Sequence, residues 1–455
     1  MRCLPMDKAQ AMDAFAAKRD QLKLAPQTGK IRLKKRTISN LFRYAPRERR
    51  APGLSLSDFN NVIAIDVENK TLDVEGLTTY ERVVDFTLAR GLLPLVAPEL
   101  KHITVGGATV GIGIESTGFR HGFVHDGLIE AEVLLPDGRI VLCNGSDSHT
   151  DLFHALPNSY GTLGYILRAK IRLLSAKRYV HIKTSAYSRL DDYLQAMRLA
   201  TEDAENDFVE GLFFATGQYY LMVSRFTDDA PQIHDIFRKD IFYKLVQRTP
   251  DVYLTTKDYI FRYDPEWFWN IPESTPYQIF RKYAPRRLRN SAFYTRYCEW
   301  ERAWERFLPW QRKNDKEPLI QDWEVPWENA GELVKYAVEN VDLGSKPWVA
   351  VPIKTPVSPT LYPIRANQLY FNLGCYCQVK KVAGKGDYHY TKIMDRRCFE
   401  LGGIKMLYSS SFLSREEFER LYNGAAYARL KARYDPQGKA YTLFEKTMTD
   451  ACGSS

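Results

Sequence analysis

The sequence predicts a two-domain α+β protein, and three observations carry that expectation. Its 455 residues, at roughly 150 residues per domain, leave room for two or three separate cores. Short alternating segments, helical stripes and nearly all the glycine-rich loops fill the first 175 residues. From about residue 178 the glycine clusters stop, and longer segments rich in Tyr, Trp and Arg take over. The composition, 45% hydrophobic and 26% charged, excludes disordered, collagen-like and small disulfide-stapled proteins.

The opening stretch, MRCLPMDKAQAMDAFAAKRDQLKLAP, reads as an amphipathic helix ending before Pro26, without the apolar core of a signal peptide. No run approaches the ~18 apolar residues of a membrane span. Residues 30–50 carry nine Lys or Arg against the single Glu48. The stretch NNVIAIDVENKTLDVEG then reads as a hairpin. Ile63, Ile65 and Val67 alternate with Ala64, Asp66 and Glu68, and the pattern resumes at Leu72 and Val74 after a turn at Asn69-Lys70. Thr78 and Glu81 form a capping box for a helix with the stripe Tyr80, Val83, Val84 and Leu88, which Gly91 caps and Pro94 stops. A second hairpin, LIEAEVLLPDGRIVLCNG, turns on Pro136-Asp137-Gly138. A short helix, a turn over Gly161–Gly164 and the strand YILRAKIRLL follow. Strand-like runs return at WVAVPIK and LYFNLGCYCQV, and residues 415–433 look helical.

Seven cysteines, an odd number, suggest reduced thiols and a cytoplasmic setting. Cys375 and Cys377 have no second pair in zinc-ribbon spacing, so they read as structural thiols and no metal site is expected. The net charge of +9 fits an anionic partner without naming one. Residues 260–313 hold Trp267, Trp269, Trp300, Trp304 and Trp310 together with Arg281, Arg286, Arg287 and Arg289. That mixture suits peripheral docking on an anionic membrane surface, and equally a cap-domain core with a basic rim. No nucleic-acid-binding pattern is present, so no nucleic-acid partner is expected.

The most informative segment is Val105–Gly122, VGGATVGIGIESTGFRHG. Glycines in such a loop let the backbone approach a ligand, and successive free N–H groups form nests for phosphate oxygens. Neither phosphate-binding pattern with a known spacing fits. No Lys-Ser/Thr follows the glycines, and G-G-x-x-x-G-x-G is not the Rossmann spacing. Taken alone, Gly161 and Gly164 read as a tight turn before a strand.

Together with the Asp-Gly hairpin, DLFHALPNSYGTLGYIL, AKRYV, ENDFVEGLFF and KMLYSSSFLSREEFERLYNG, this segment resembles the vanillyl-alcohol-oxidase (PCMH-type) FAD family. The resemblance covers roughly residues 30–450. Within the family it points to the delta-24-sterol reductase (Diminuto) branch, near the bacterial flavoproteins of 10-methylstearate synthesis. It implies a two-subdomain PCMH-type FAD-binding domain over residues 1–175, an α+β substrate cap over 176–405, and a C-terminal segment, 406–455, returning to the flavin domain.

The cofactor contacts so implied fall on Gly106, Gly107, Gly111, Gly113, Glu115 and Ser116, then on Gly161, Thr162, Gly164 and Ile166. Most of the family carries a Gly-rich, His-containing loop near the N-terminus. Here the corresponding region is KKRTISNLFR, so the resemblance implies noncovalently bound FAD, with Arg36, Ser39, Asn40 and Arg43 near the pyrophosphate. His121 reads as solvent-facing or supporting, not as a covalent link. The implied activity is reduction of a carbon–carbon double bond in a lipid (a sterol or isoprenoid side chain or a methylene-branched acyl chain), with NADPH as electron donor. With no second dinucleotide motif, that donor would visit the flavin directly. Same-fold alternatives are an oxidase or dehydrogenase of an alcohol or sugar, and a non-enzymatic lipid-binding protein. No catalytic acid is legible. Lys431 and Lys439, flanking the YDP segment, are candidates for the flavin face or simply surface lysines. The oligomeric state stays open.

Overall fold

A computed structural model describes residues 8–22, 32–34, 53–237, 240–265 and 316–448, with a few residues between 279 and 296. Two antiparallel sheets organise it. A short parallel pair, β1 (Arg32–Lys34) and β2 (Gly53–Ser55), precedes them.

The first sheet uses β3 (Val62–Asp66), β4 (Thr71–Glu75), β5 (Leu92–Pro94), β6 (Leu128–Leu134), β7 (Ile140–Asn144) and β8 (Tyr165–Ser175). Its order is β3-β4-β8-β6-β7, with β5 paired to β8. The anticipated hairpins are those of β3–β4 and β6–β7. Lys70 (φ 50°) and Gly138 (φ 95°) supply the left-handed residues at their turns. The helix Tyr80–Leu88 is capped one residue later than its sequence suggests. Thr79 accepts from the Arg82 N–H, while Thr78 donates its hydroxyl to the Asn61 carbonyl and ties the helix entry to the strand. On the outer side of the sheet, helix Lys8–Gln21 buries Ala11 and Phe15 against Leu56, Phe59, Ile63 and Leu167.

The second sheet has eight strands: β9 (Tyr179–Tyr187), β10 (Phe208–Phe214), β11 (Gln218–Thr227), β12 (Asp251–Thr255), β13 (Lys316–Pro326), β14 (Trp348–Ile353), β15 (Tyr370–Lys380) and β16 (Ile404–Lys405). Its order is β12-β9-β11-β10-β14-β15-β13-β16. The period-two alternation of strands sends successive side chains to opposite faces. Val209, Phe213, Trp323, Phe371 and Leu373 lie under helices Leu190–Glu202, Ala330–Asn340 and His389–Glu400. Phe208, Leu212, Val349, Val351, Ile353 and Tyr370 face the other way and share one core with the first sheet.

The C-terminal segment packs against residues 149–162 of the first part of the chain. The single helix expected over 415–433 is two, Arg415–Leu421 and Gly424–Tyr434, because Asn423 adopts φ 53° between them. Tyr434 donates to Asp151 at 2.6 Å and pairs with His149 at 3.0 Å. Among the described residues no helix is long and apolar enough to cross a membrane, and no group of three or more His, Cys, Asp or Glu could hold a metal ion.

Candidate active site

The glycine-rich loop begins as the one-and-a-half-turn helix Val105–Val110, whose N-cap Thr104 accepts from the Gly107 N–H at 3.2 Å. It continues through Ile112, held at φ 56°. The turn over residues 158–164 is also largely left-handed, at Asn158 (φ 61°), Tyr160 (φ 49°) and Gly161 (φ 74°). Tyr160 joins the two: its N–H donates to the Val110 carbonyl at 3.0 Å and its hydroxyl to the Gly111 carbonyl at 3.2 Å. Gly106, Gly111, Gly161, Thr162, Gly164 and Ile166 therefore occupy one region.

Several of these glycines are demanded by the protein's own packing. A Cβ on Gly106 would lie 2.9 Å from the Gly76 carbonyl and 3.3 Å from the Ile166 Cβ, and one on Gly113 would lie 2.6 Å from Val124. At Gly111 the obstruction is the Gly107 carbonyl, 2.8 Å away. Gly76 escapes a sequence reading, yet its own Cβ would overlap the Ile166 carbonyl.

The region nevertheless offers donors. Among the described residues, the backbone N–H groups of Ile112, Ile114 and Glu115 make no backbone hydrogen bond. The buried Asn158 Oδ1 has no partner among them either, although its Nδ2 donates to the Leu361 carbonyl at 2.7 Å. These unpaired N–H groups, on a loop that Tyr160 ties to the turn holding the unsatisfied Asn158 oxygen, suit a phosphate-bearing ligand with a hydrogen-bonding ring. Arg36, Ser39, Asn40 and Arg43 lie outside the described residues, and so do Trp267, Trp269, Trp300, Trp304, Trp310, Arg281, Arg286 and Arg287. Arg289 is described, and it is buried with Nε donating to the Ala284 carbonyl, so it does not serve as a surface cation.

Lys431 is not a surface lysine. Its ammonium donates to the Thr162 carbonyl at 2.9 Å and to the Ala440 carbonyl at 3.0 Å, and it pairs with Asp435. It thereby fastens the C-terminal segment to the second loop. His121 is half-buried, and burial first, then Arg120, pushes its pKa down to about 4.

Beyond the glycine loop lies a buried ionic knot. Glu115 accepts from the Ser116 N–H (2.9 Å), the Ser116 hydroxyl (2.7 Å) and Arg262 Nη2 (3.1 Å). Glu115 can thus offer a cofactor its backbone N–H, because its carboxylate is occupied. Arg262 also binds Glu210 of β10 through Nε at 2.9 Å and Nη2 at 2.7 Å, and its third nitrogen donates to the Tyr259 carbonyl. Burial works against the guanidinium, but Glu115 and Glu210 outweigh it and hold its pKa well above the ordinary value. One arginine thus joins the glycine loop to the second sheet (the cap sheet of the expected substrate domain), reinforced by the Val209 N–H on the Ser116 carbonyl at 2.9 Å.

On the same face of the cap sheet, Asp322 and Glu324 of β13 stand opposite Gly374 and Asn372 of β15. Tyr376 donates to Asp322 Oδ2 at 2.7 Å, and Tyr408 donates to the same oxygen. Gly374 makes the space, since a Cβ there would come within 2.5 Å of Asp322 Oδ1. Burial drives the Asp322 pKa up to about 7, against the hydrogen bonds from Tyr408, Tyr376 and Asn372. Burial, with Asp322 as a like charge, lifts Glu324 well above its usual range. Glu99, from the loop after β5, is raised by desolvation and by Glu115, Glu210 and Asp322, which places it within electrostatic reach of both clusters.

The FAD binding domain family matches residues 39–144, which include the whole glycine loop. That match fits a PCMH-type FAD-binding domain and supports an FAD-dependent oxidoreductase. The flavoprotein is 26% identical to human Delta(24)-sterol reductase over 403 residues, covering 85% of this chain and 76% of the relative. It is 24% identical to the Arabidopsis thaliana Delta(24)-sterol reductase over 437 residues, covering 87% and 76%. Cytokinin dehydrogenase 2 of Oryza sativa subsp. japonica is 30% identical over 159 residues, covering 33% of this flavoprotein and 28% of the relative.

The sequence missed Arg262, Glu210, Asp322, Tyr376 and Tyr408. The available signal was the alternation in QDWEV, where Asp322 and Glu324 interleave with Gln321, Trp323 and Val325 on a strand whose central residues, 319–325, are all buried.

Proposed function

We propose that this flavoprotein reduces a carbon–carbon double bond in a lipid, a sterol or isoprenoid side chain or a methylene-branched acyl chain, with electrons from NADPH. The observation that carries the reading is the extent of likeness to Delta(24)-sterol reductases. At 85% of the chain it takes in the cap sheet as well as the flavin loops. The apolar character of that sheet's face toward the first sheet, where Phe208, Leu212, Phe214, Val349, Val351 and Ile353 are buried, is in keeping with an apolar substrate. Bound FAD supplies hydride-transfer chemistry. The chain's own residues do the rest. Ile112, Ile114 and Glu115 present N–H donors, and Asn158 presents a carbonyl. Arg262 clamps the cap to the loop, and the apolar sheet face excludes water. Exposed Ile279 and Tyr283 are in keeping with docking at an anionic membrane surface from the cytoplasm.

The test is anaerobic. The purified protein should be yellow, NADPH should bleach it, and a lipid alkene should restore the oxidised spectrum. A sterol with a side-chain alkene and a methylene-branched phospholipid, tried separately, identify the substrate class. Rapid oxygen consumption with an alcohol or sugar, without bleaching by NADPH, would overturn the reading in favour of an oxidase. A colourless protein that binds liposomes and cannot take up FAD would make it a lipid-binding protein instead.

A further inference from the structure

We propose that Asp322, Tyr376 and Tyr408 together deliver the proton that the lipid reduction requires, an assignment that rests on the reaction proposed above. Adding hydrogen across an alkene takes a hydride at one carbon and a proton at the other, so the protein must hold an acid beside the substrate. Five carboxyl groups cluster around the flavin-facing side of the cap sheet. Glu115 and Glu210 are both held by the Arg262 guanidinium. Glu324 Oε1 accepts from Asn372, and its Oε2, fully buried, has no partner among the described residues. Glu99 is crowded by Glu115, Glu210 and Asp322. Asp322 alone receives two phenolic hydroxyls on a single oxygen.

The layering gives the cluster a direction. Asp322 is only 2% exposed, whereas Tyr376 and Tyr408 are partly exposed and pack against the core shared with the flavin domain. The phenols therefore form the outer layer and the carboxyl the reserve behind them. Among the described residues, the polar groups around Asp322 come from four places. Glu324 lies on its own strand, Asn372 and Tyr376 on β15, Tyr408 beyond β16, and Glu99 on the flavin-domain loop. Lys405, a nearby ammonium, turns to Asp395 at 3.1 Å and to the Ser410 carbonyl at 2.9 Å. Among the described residues no cation pairs with the Asp322 carboxyl.

With FAD bound, the reduced flavin would supply a hydride, with its electron pair, to one alkene carbon. The π pair of the alkene forms the second C–H bond with a tyrosine proton. The phenolate takes the Asp322 proton, and Asp322 recovers one from solvent. The two electrons come originally from the reduced nicotinamide.

Two measurements test this. In Asp322→Asn, and in the double variant Tyr376→Phe with Tyr408→Phe, bleaching by NADPH and reoxidation by oxygen should keep their wild-type rates. Reoxidation by the lipid alkene should fall about 10²–10⁴-fold. A merely structural role would slow all three. In the cofactor-free protein, one component of the protonated-carboxyl infrared signal should be missing in Asp322→Asn, fade in the wild type as pH rises through 7, and persist to higher pH in the double phenylalanine variant. Wild-type alkene reoxidation in either variant, or an infrared titration unmoved by loss of both phenols, would overturn the assignment. A wild-type protein that no alkene reoxidises would sink the reaction itself, and the infrared titration still reads the cluster independently.

Discussion

Two groups of buried carboxylates share one face of the cap sheet, and they are built on opposite plans. Glu115 and Glu210 meet a guanidinium that satisfies both, and Tyr259, Tyr263 and Phe242 surround the cation at 4.5, 5.0 and 5.8 Å. Among the described residues, Asp322 meets the Tyr376 and Tyr408 hydroxyls and the Asn372 amide. A cation turns buried carboxylates into a fixed joint between domains, while its absence leaves a carboxyl able to exchange protons near neutral pH. Burial is equal in the two groups, so the partner decides the role.

Removing the cation should break the contrast most severely. Arg262→Met strands two buried carboxylates and should cost about 3–5 kcal/mol of stability in chemical denaturation, with loss of the yellow colour if the loop depends on the joint. Next comes pH. Asp322 titrates near 7 when folded and near 4 when unfolded, so the folded protein retains a proton that the unfolded chain has released. Its contribution is complete below about pH 4 and is lost as pH rises through 7, a change of up to roughly 4 kcal/mol. Denaturation curves at pH 5 and pH 8 should show it, and Asp322→Asn should remove that part of the difference. Gly374→Ala sharpens the comparison geometrically. Its methyl would press on Asp322 Oδ1, costing about 1–3 kcal/mol, whereas nothing at the Arg262 joint would change. The smallest effect belongs to Ser116→Ala. It removes one of several donors to Glu115 and should cost about 1.5 kcal/mol, with no change in the Asp322 titration.

The same contrast explains what could be read from the chain. Local rules placed the hairpins of β3–β4 and β6–β7, the Gly91 cap (φ 68°) and the turn at Gly138, because each depends on neighbours within a few residues. They misjudged the cap at Thr79 and the break at Asn423. In both, a tertiary contact decides between adjacent positions: the Thr78 hydroxyl is drawn to Asn61, and the Tyr422 hydroxyl to the Lys405 carbonyl. The glycine loop stood out in sequence because its residues are consecutive. The ionic knot joins residues 115, 210 and 262, and the proton cluster joins 322, 376 and 408. Those groupings exist only in the sheet register. Arg262 sat inside a stretch whose aromatic and basic composition suggested a membrane surface, yet it is 1% exposed. Composition over a window cannot tell a core arginine from a surface one when each is ringed by aromatics.

The Lys431 ammonium on the Thr162 carbonyl closes a contact between residues 269 positions apart. A chain emerging from the ribosome would present both flavin loops long before the lysine that fastens the second of them. The nascent flavin domain must therefore wait, with that turn unsecured, while the entire cap is synthesised. A chain arrested before residue 431 would hold both loops but leave the second unfastened.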